Sequence, residues 1–415
     1  MIRSLRLLCA LLVVVALLPA STPLVGSAAS DAPGTATQPA QVQPLSEENT
    51  TSVLLLTGET TTGYAESVVD IAPVVGAARG VVGIDLRERV VQNRLRDAST
   101  VDRRRQVLRQ ETERLAEEVA DLQRAEERAL ARYERGEISA EELLRVLATV
   151  DTEARRADEL VSLLQDETSQ VQFVSATADE LQSLQVELAT LYGPVRAHAG
   201  QVFRGDEAPT RVHVTVSGEA VALSMLRGDT YIREATDPAN LDDGASDQFA
   251  SEGEVIDRIG TLYPWAWTSD TSSVRTYTNF ENGFYRISVD HTHGQLTSYV
   301  DGSTQDVFRE IQYKSVSRMP NGRPVTVEEN GTTLRVNQSF VGGPIQVRTT
   351  DATTGDAVDG AISLDGEPAG RTVNGRAWLL GPAGQYEVTV ATDAGNVTAT
   401  GQALQPDQPA QGSEQ

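Results

Sequence analysis

From about Leu86 to Tyr192 apolar residues recur every three or four positions through a background of Arg and Glu. Val91, Leu95, Ala98, Val101, Leu108, Leu115, Val119, Leu122, Leu130 and Tyr133 fall on one stripe of a helix. Beyond it Leu143, Val150, Ala157, Leu164, Val171 and Ala178 repeat every seven residues, with Leu147, Ala154, Val161, Val174, Leu181 and Leu188 in the companion seam of a coiled coil. Between the two arms, Gly136 supplies a left-handed helix end and Ser139 with Glu142 a capping box. The spacing predicts a long antiparallel helical hairpin, with arms of roughly 50 residues making a rod of about 75 Å, stopped at Tyr192-Gly193-Pro194. Leu144 and Leu163 fall outside both seams, which predicts a further helix against them, from residues 60–85 or from a second copy. Tyr64 to Val69 predicts the start of a helix leading into the rod through a bend at Gly76, Gly80 and Gly83.

After Pro194 the period falls to two. Val212–Val216 and Ala220–Met225 predict strands, an acidic loop runs from Asp237 to Glu254, and Glu254 to Pro264 predicts a helix. Strands follow at Gly283–Asp290 and Gln295–Asp301, joined by His291-Thr292-His293-Gly294. The run Phe284-Tyr285-Arg286-Ile287-Ser288-Val289, the turn Gly294-Gln295-Leu296, and Thr297 to Gly302 leading into Val307-Phe308-Arg309-Glu310 resemble a PepSY-type module. That resemblance implies a small non-catalytic domain of secreted or envelope proteins, with regulation of a peptidase as one role.

Short strands separated by Gly and Asp turns fill 338–401 and predict a β-sandwich. Thr354-Gly355-Asp356-Ala357-Val358, Asn374-Gly375-Arg376-Ala377 and Gly384-Gln385-Tyr386-Glu387-Val388 resemble the carboxypeptidase regulatory-like (prealbumin-like) sandwich, an accessory fold. The expected architecture is multidomain α+β. A signal peptide occupies 1–28, a disordered linker 29–52, a coiled-coil-like helical hairpin 53–197, and a small α+β domain 198–325. An Ig-like sandwich at 326–401 and a disordered tail at 402–415 complete it.

Charge changes the picture of partners. The formal net charge is −24, and of 35 basic residues only Lys314 is a lysine. Such a surface holds hydration and resists salting-out, and with the signal and domain order it resembles secreted haloarchaeal proteins. Nucleic acid is excluded, because phosphate binding needs basic faces. Arg3 and Arg6, an apolar run from Leu7 to Leu18 and the small residues to Ala28 form a secretory signal. No later segment is apolar enough to span a membrane. The only cysteine, Cys9, lies in the signal, so disulfides and thiolate metal sites are excluded from the mature chain.

Candidate chemistry is thin. His291 and His293, two apart, could share a face and hold a metal, but a third ligand is required and only His198 and His213 remain beside carboxylates; a polar hairpin turn is the plainer reading. No Gly-x-Ser-x-Gly elbow, His-Glu-x-x-His or phosphate loop occurs, so neither an enzyme nor a cofactor is expected. Asp237, Asp242, Asp243 and Asp247 lack the spacing of a calcium loop. Tyr263-Pro264-Trp265-Ala266-Trp267 reads as a core plug. Sequons at Asn49, Asn330, Asn337 and Asn396 are glycosylation candidates. The expectation is a secreted or cell-surface, non-catalytic structural or protein-binding protein with a protein partner or self-association through the helical rod; the alternative is a regulator or inhibitor of an extracellular peptidase acting through the PepSY-like run.

Overall fold

A computed structural model of the chain describes residues 53–67, 87, 89–171, 174–242, 246–267, 273–280, 283–319 and 324–404. The expected signal, the linker to residue 52, the glycine bend at 76–83 and the tail from 405 lie outside these residues, as do Cys9 and Asn49.

The helical reversal forms where local chemistry placed it. Helix α2 (Val101–Glu134) ends at Gly136, whose φ is 67°, and Glu137 N–H donates to Arg132 O at 2.9 Å. Helix α3 (Ala140–Ser169) starts with a full capping box: Ser139 Oγ accepts from Glu142 N–H at 3.1 Å, and the Glu142 carboxylate accepts from Ser139 N–H at 3.0 Å. The arms themselves differ from expectation. Residues 89–97 form a separate helix α1, and the Thr100 side chain caps a new helix by accepting from Arg103 N–H at 3.2 Å. Val101, expected in the stripe, is 55% exposed. Arg94 holds α1 to α2 through an ion pair with the buried Glu111 and a 3.0 Å bond to Gln110.

The second arm is not one helix. Ser169 Oγ and Gln170 Nε2 both donate to Asp166 O, at 2.7 and 3.3 Å, where polar side chains compete for the last carbonyls. The chain then turns back as α4 (Ser175–Leu191). Gln165 meets Gln185 at 3.4 Å and Asp151 meets Gly193 at 2.8 Å, so α3 and α4 are antiparallel. Leu181, Leu184, Leu188 and Leu191 of α4 complete a core with the seams of α2 and α3. The rod of about 75 Å is therefore a three-helix bundle whose longest member, at 34 residues, reaches about 51 Å. Leu163 is half-buried against that core, whereas Leu144 is covered by the β-sheet described next.

That sheet is antiparallel and eight-stranded, in the order β1-β2-β3-β4-β8-β7-β6-β5. Its strands are β1 (Thr61–Ser67), β2 (Thr210–Ser217), β3 (Ala220–Arg227), β4 (Thr230–Thr236), β5 (Ser273–Phe280), β6 (Phe284–His291), β7 (Gly294–Asp301) and β8 (Val307–Ser315). The helix predicted from Tyr64 is thus a strand through Ser67, paired Tyr64↔His213 and Ala65↔Val212, and residues 53–67 belong to the sheet rather than the helical domain. Tertiary pairing overrides local pattern there. Helix α5 (Pro194–Arg204) crosses the expected domain boundary at 197 and packs Val195, Ala199 and Phe203 on β2–β4 together with Leu143, Leu144 and Leu147 of α3. The opposite face, over β6–β8, is covered by α6 (Glu252–Leu262) through Val255, Ile259 and Leu262, and by Trp265, which is core as the plug reading held.

The C-terminal domain is a sandwich of two four-stranded sheets. One contains β9 (Pro324–Glu329), β10 (Thr332–Asn337), β11 (Pro344–Asp351) and β14 (Arg376–Leu380). The other contains β12 (Ala361–Leu364), β13 (Glu367–Arg371), β15 (Gln385–Thr392) and β16 (Gly395–Gln402). Phe340 and Leu380 bury against Val53, Tyr231 and Val316, fastening the sandwich to the open face of β3–β4. Among the described residues no helix is long and apolar enough to cross a membrane.

Candidate functional site

The two central strands each carry an Arg-Glu pair, Arg233-Glu234 on β4 and Arg309-Glu310 on β8. Neighbouring strand residues point to opposite faces, so each face receives one arginine and one glutamate. On the α6 face, Arg233 donates to Glu310 at 2.6 Å and to Leu54 O at 2.8 Å, Leu54 N–H donates back to Glu310 at 2.6 Å, and the Tyr263 hydroxyl donates at 2.8 Å. Every partner is buried, so the segment before β1 is tied to the sheet centre by charge-assisted bonds. Lys314 lies on the same face, fully buried, with Nζ 4.3 Å from the Trp265 ring and 5.9 Å from that of Phe340. Burial, offset in part by Glu310, pushes its ammonium down to about 7.

On the bundle face, Arg196 of α5 is fully enclosed. It grips Glu126 of α2 with two bonds, at 2.7 and 2.9 Å, and reaches Glu234 at 3.3 Å. Glu234 also accepts from Val195 N–H at 2.8 Å, so a single arginine links α2, α5 and β4. Burial pushes both glutamates up, and Arg196 draws them back.

Beside this linkage a cleft of about 820 Å³ opens between α3, α5 and strands β6–β8, within the size range of ligand pockets. Its lining holds Arg155, Arg156, Arg204, Arg286 and Arg309 against one carboxylate, Asp151, with Tyr192, Tyr299 and Tyr313 between them. In a chain with 59 acidic and 35 basic residues this is a local inversion of charge. The guanidiniums are held by stacking. Tyr192 lies between Arg155 and Arg309, at 4.8 and 5.0 Å, and Tyr299 takes Arg309 at 4.6 Å and Arg286 at 5.8 Å. Asp151 fixes Arg155 through Nε and Nη2, both at 3.1 Å, and Gly193 O accepts from Nη2 at 3.2 Å. Arg156 is paired with Glu153 at 2.9 Å and Arg204 with Asp206 at 3.1 Å. Arg309 is only 2% exposed and donates Nη2 to Tyr192 O at 2.6 Å, while its Nη1 has no hydrogen-bond partner among the described residues. Burial pushes the Tyr192 phenol up, keeping it a neutral donor.

The residues singled out from sequence lie elsewhere. His291 ends β6, buried edge-on to Trp265 at 4.7 Å, and burial pushes its imidazole down to about 3. Its Nδ1 accepts from His293 N–H at 3.2 Å and its Nε2 is without a partner among the described residues. His293 sits in the two-residue turn rather than on the strand, donates Nδ1–H to Arg318 O at 2.6 Å, and has its ring centroid 6.0 Å from that of His291. His198 is bound to Thr210 at 2.9 Å and His213 meets Tyr64 edge-on, with ring centroids 5.1 Å apart. Among the described residues no group of three or more His, Cys, Asp or Glu could hold a metal. In the acidic loop Asp247 accepts from Tyr285 and from Phe249 N–H. Asn330 and Asn396 are exposed neighbours, the Asn330 amide donating to Asn396 O at 2.8 Å, whereas Asn337 is 6% exposed and donates to Gln346 at 3.0 Å. Sequence reasoning missed the cleft: its arginines are scattered over more than 150 positions, and the adjacent pair Arg155-Arg156 was the one local sign.

Bundle, sheet and sandwich define a multidomain α+β protein. Residues 323–399 match the archaeal fibronectin-III type-like domain, and these are the residues that resemble a prealbumin-like sandwich. Residues 212–320, which include the PepSY-like run, match the family of unknown function DUF7094. Residues 1–208 match the domain of unknown function DUF7096; this match spans half of the chain, and the chain belongs to that family. No curated protein and no solved structure matches it. The cleft straddles the two matched regions: Arg155, Arg156, Tyr192 and Arg204 come from the first, Arg286, Tyr299, Arg309 and Tyr313 from the second.

Proposed function

We propose that this is a secreted or cell-surface, non-catalytic binding protein whose helical bundle and central sheet together form a seat for an anionic group of a partner. The observation that carries the reading is the cleft with five arginines to one carboxylate in a chain of net charge −24. Low-dielectric walls lined by one sign of charge focus the field and favour ligands of the opposite sign. Leu144 and Leu163, the positions outside the seams expected to dock a further helix, are covered within the protein, which supports a binding surface at the bundle's junction with the sheet over one along the rod. The acidic, lysine-poor composition supports a high-salt environment, and the expected signal supports the location. The mature chain's lack of cysteine and of any hydrolase motif supports binding over catalysis.

The test is calorimetric titration of the full chain, at fixed ionic strength, with dextran sulfate, polyglutamate and uncharged dextran. Wild type should bind one or both polyanions and not dextran. Arg204→Ser with Arg286→Ser should weaken that binding by about tenfold or more. Equal binding by the variant would place the interaction elsewhere on the molecule.

A further inference from the structure

Resting on that reading, we infer that the cleft selects a tetrahedral oxyanion, a phosphate or sulfate monoester, over a planar carboxylate. The argument lies in which donors are already committed. A carboxylate is best met by the two parallel N–H groups of one guanidinium fork. At the two guanidiniums that flank Tyr192 the forks are spent within the protein: Arg155 gives Nε and Nη2 to Asp151, and Arg309 gives Nη2 to Tyr192 O. What these two retain is single donors pointing from separate residues, among them the Arg309 Nη1 that finds no partner among the described residues. A tetrahedral head with three or more oxygens accepts such donors from separate directions, and a flat carboxylate cannot use more than a few of them at once.

Two further features fit an ester rather than a bare ion. The cleft, at about 820 Å³, is far larger than one anion, and its remaining walls are tyrosine rings and the apolar surfaces of Ile311, Pro194 and Ala197. These would cover an organic body joined to the anionic head. The guanidiniums are pinned by ring stacking and ion pairs before any ligand arrives, so little side-chain entropy is lost on binding.

The experiment holds the organic body constant and changes the head: phenyl phosphate, phenyl sulfate, benzoate and phenol are titrated into the full chain at matched ionic strength, with inorganic phosphate as a separate arm. The two esters should bind about tenfold or more tighter than benzoate, phenol should not bind, and inorganic phosphate should be weaker than phenyl phosphate. Arg309→Gln should remove most of the preference for the esters, and Arg286→Gln serves as the variant away from the buried linkage should the first fail to fold. Benzoate binding as tightly as the esters, or inorganic phosphate as tightly as phenyl phosphate, overturns the ester assignment and leaves the anionic seat standing. Polyanion binding with no response to any small anion overturns the assignment likewise. Loss of both the small-anion and the polyanion responses removes the proposed function as well.

Discussion

Lys314 shows how far one residue can depart from its usual role. It is the only lysine in the chain, and it spends its charge inside the protein, between Trp265 and Phe340, with Glu310 and Arg233 on the same face. Burial takes it from 10.5 to about 7, so between those values the unfolded chain binds the proton that the folded chain has released. Stability therefore rises with pH across that window, and the full cost of the buried ammonium is present below it. The histidines act at the acid end. His291 is pushed down to about 3 and His213 to about 4, both mainly by burial, so stability is lost as pH falls from 6.5 toward those values. Denaturant midpoints measured across pH should climb at both ends, and Lys314→Met should flatten the alkaline limb while leaving the acid limb intact. An alkaline limb unchanged in Lys314→Met would show that the lysine is not the titrating group. That this residue is unique was plain from the sequence; that it is buried depends on contacts with positions 265 and 340, which no local pattern reveals.

At the scale of elements, local chemistry and long-range contact divide the account cleanly. The reversal between α2 and α3 was readable because Gly136, Ser139 and Glu142 settle it among themselves. Gly136→Val with Ser139→Ala should cost about 1–3 kcal/mol in chemical denaturation, since the first meets no neighbour and is strained only by its φ while the second loses a cap. A cost under about 0.5 kcal/mol would mean the bundle imposes the turn regardless of its caps. The break between α3 and α4 and the strand β1 were not readable. The heptad pattern continues past Ser169, and the gain from laying a third helix on the seams, with Ser169 and Gln170 taking the last carbonyl, ends it; the run at 61–67 becomes a strand because β2 offers it an edge. Gly193 belongs to the same class. Its φ of −166° suits any residue, but a Cβ there would overlap the Glu234 carboxylate that holds Val195 and Arg196. Gly193→Ala should therefore cost about 2–4 kcal/mol, by displacing one partner of a buried charge network. A loss no greater than an ordinary surface substitution would show that Glu234 can move without consequence.

The whole molecule is an acidic protein with buried Arg-Glu networks through its sheet and an arginine-rich cleft beside them. Composition foretold the surface, and the change of period from 3.6 to two foretold helices followed by β domains. Beyond the adjacent pair Arg155-Arg156, nothing along the chain foretold that α3, α5, β6 and β8 would bring Arg155, Arg156, Arg204, Arg286 and Arg309 to one cleft, because the others sit singly in helix and strand patterns and read as solvated surface. The Arg-Glu pairs on β4 and β8 are the part of the sequence that most nearly encodes the assembly: each sends one charge to either face, and the opposed charges lock the bundle, the sheet and the segment at Leu54 together. The measurement that bears most directly on the central claim is anomalous diffraction from crystals of the full chain soaked in selenate, which reports where a tetrahedral anion binds. The account predicts a dominant selenium peak in the cleft, within hydrogen-bond distance of Arg309 and Arg155, and its loss in Arg309→Gln; selenium found only at other surfaces, with the cleft empty, would contradict it.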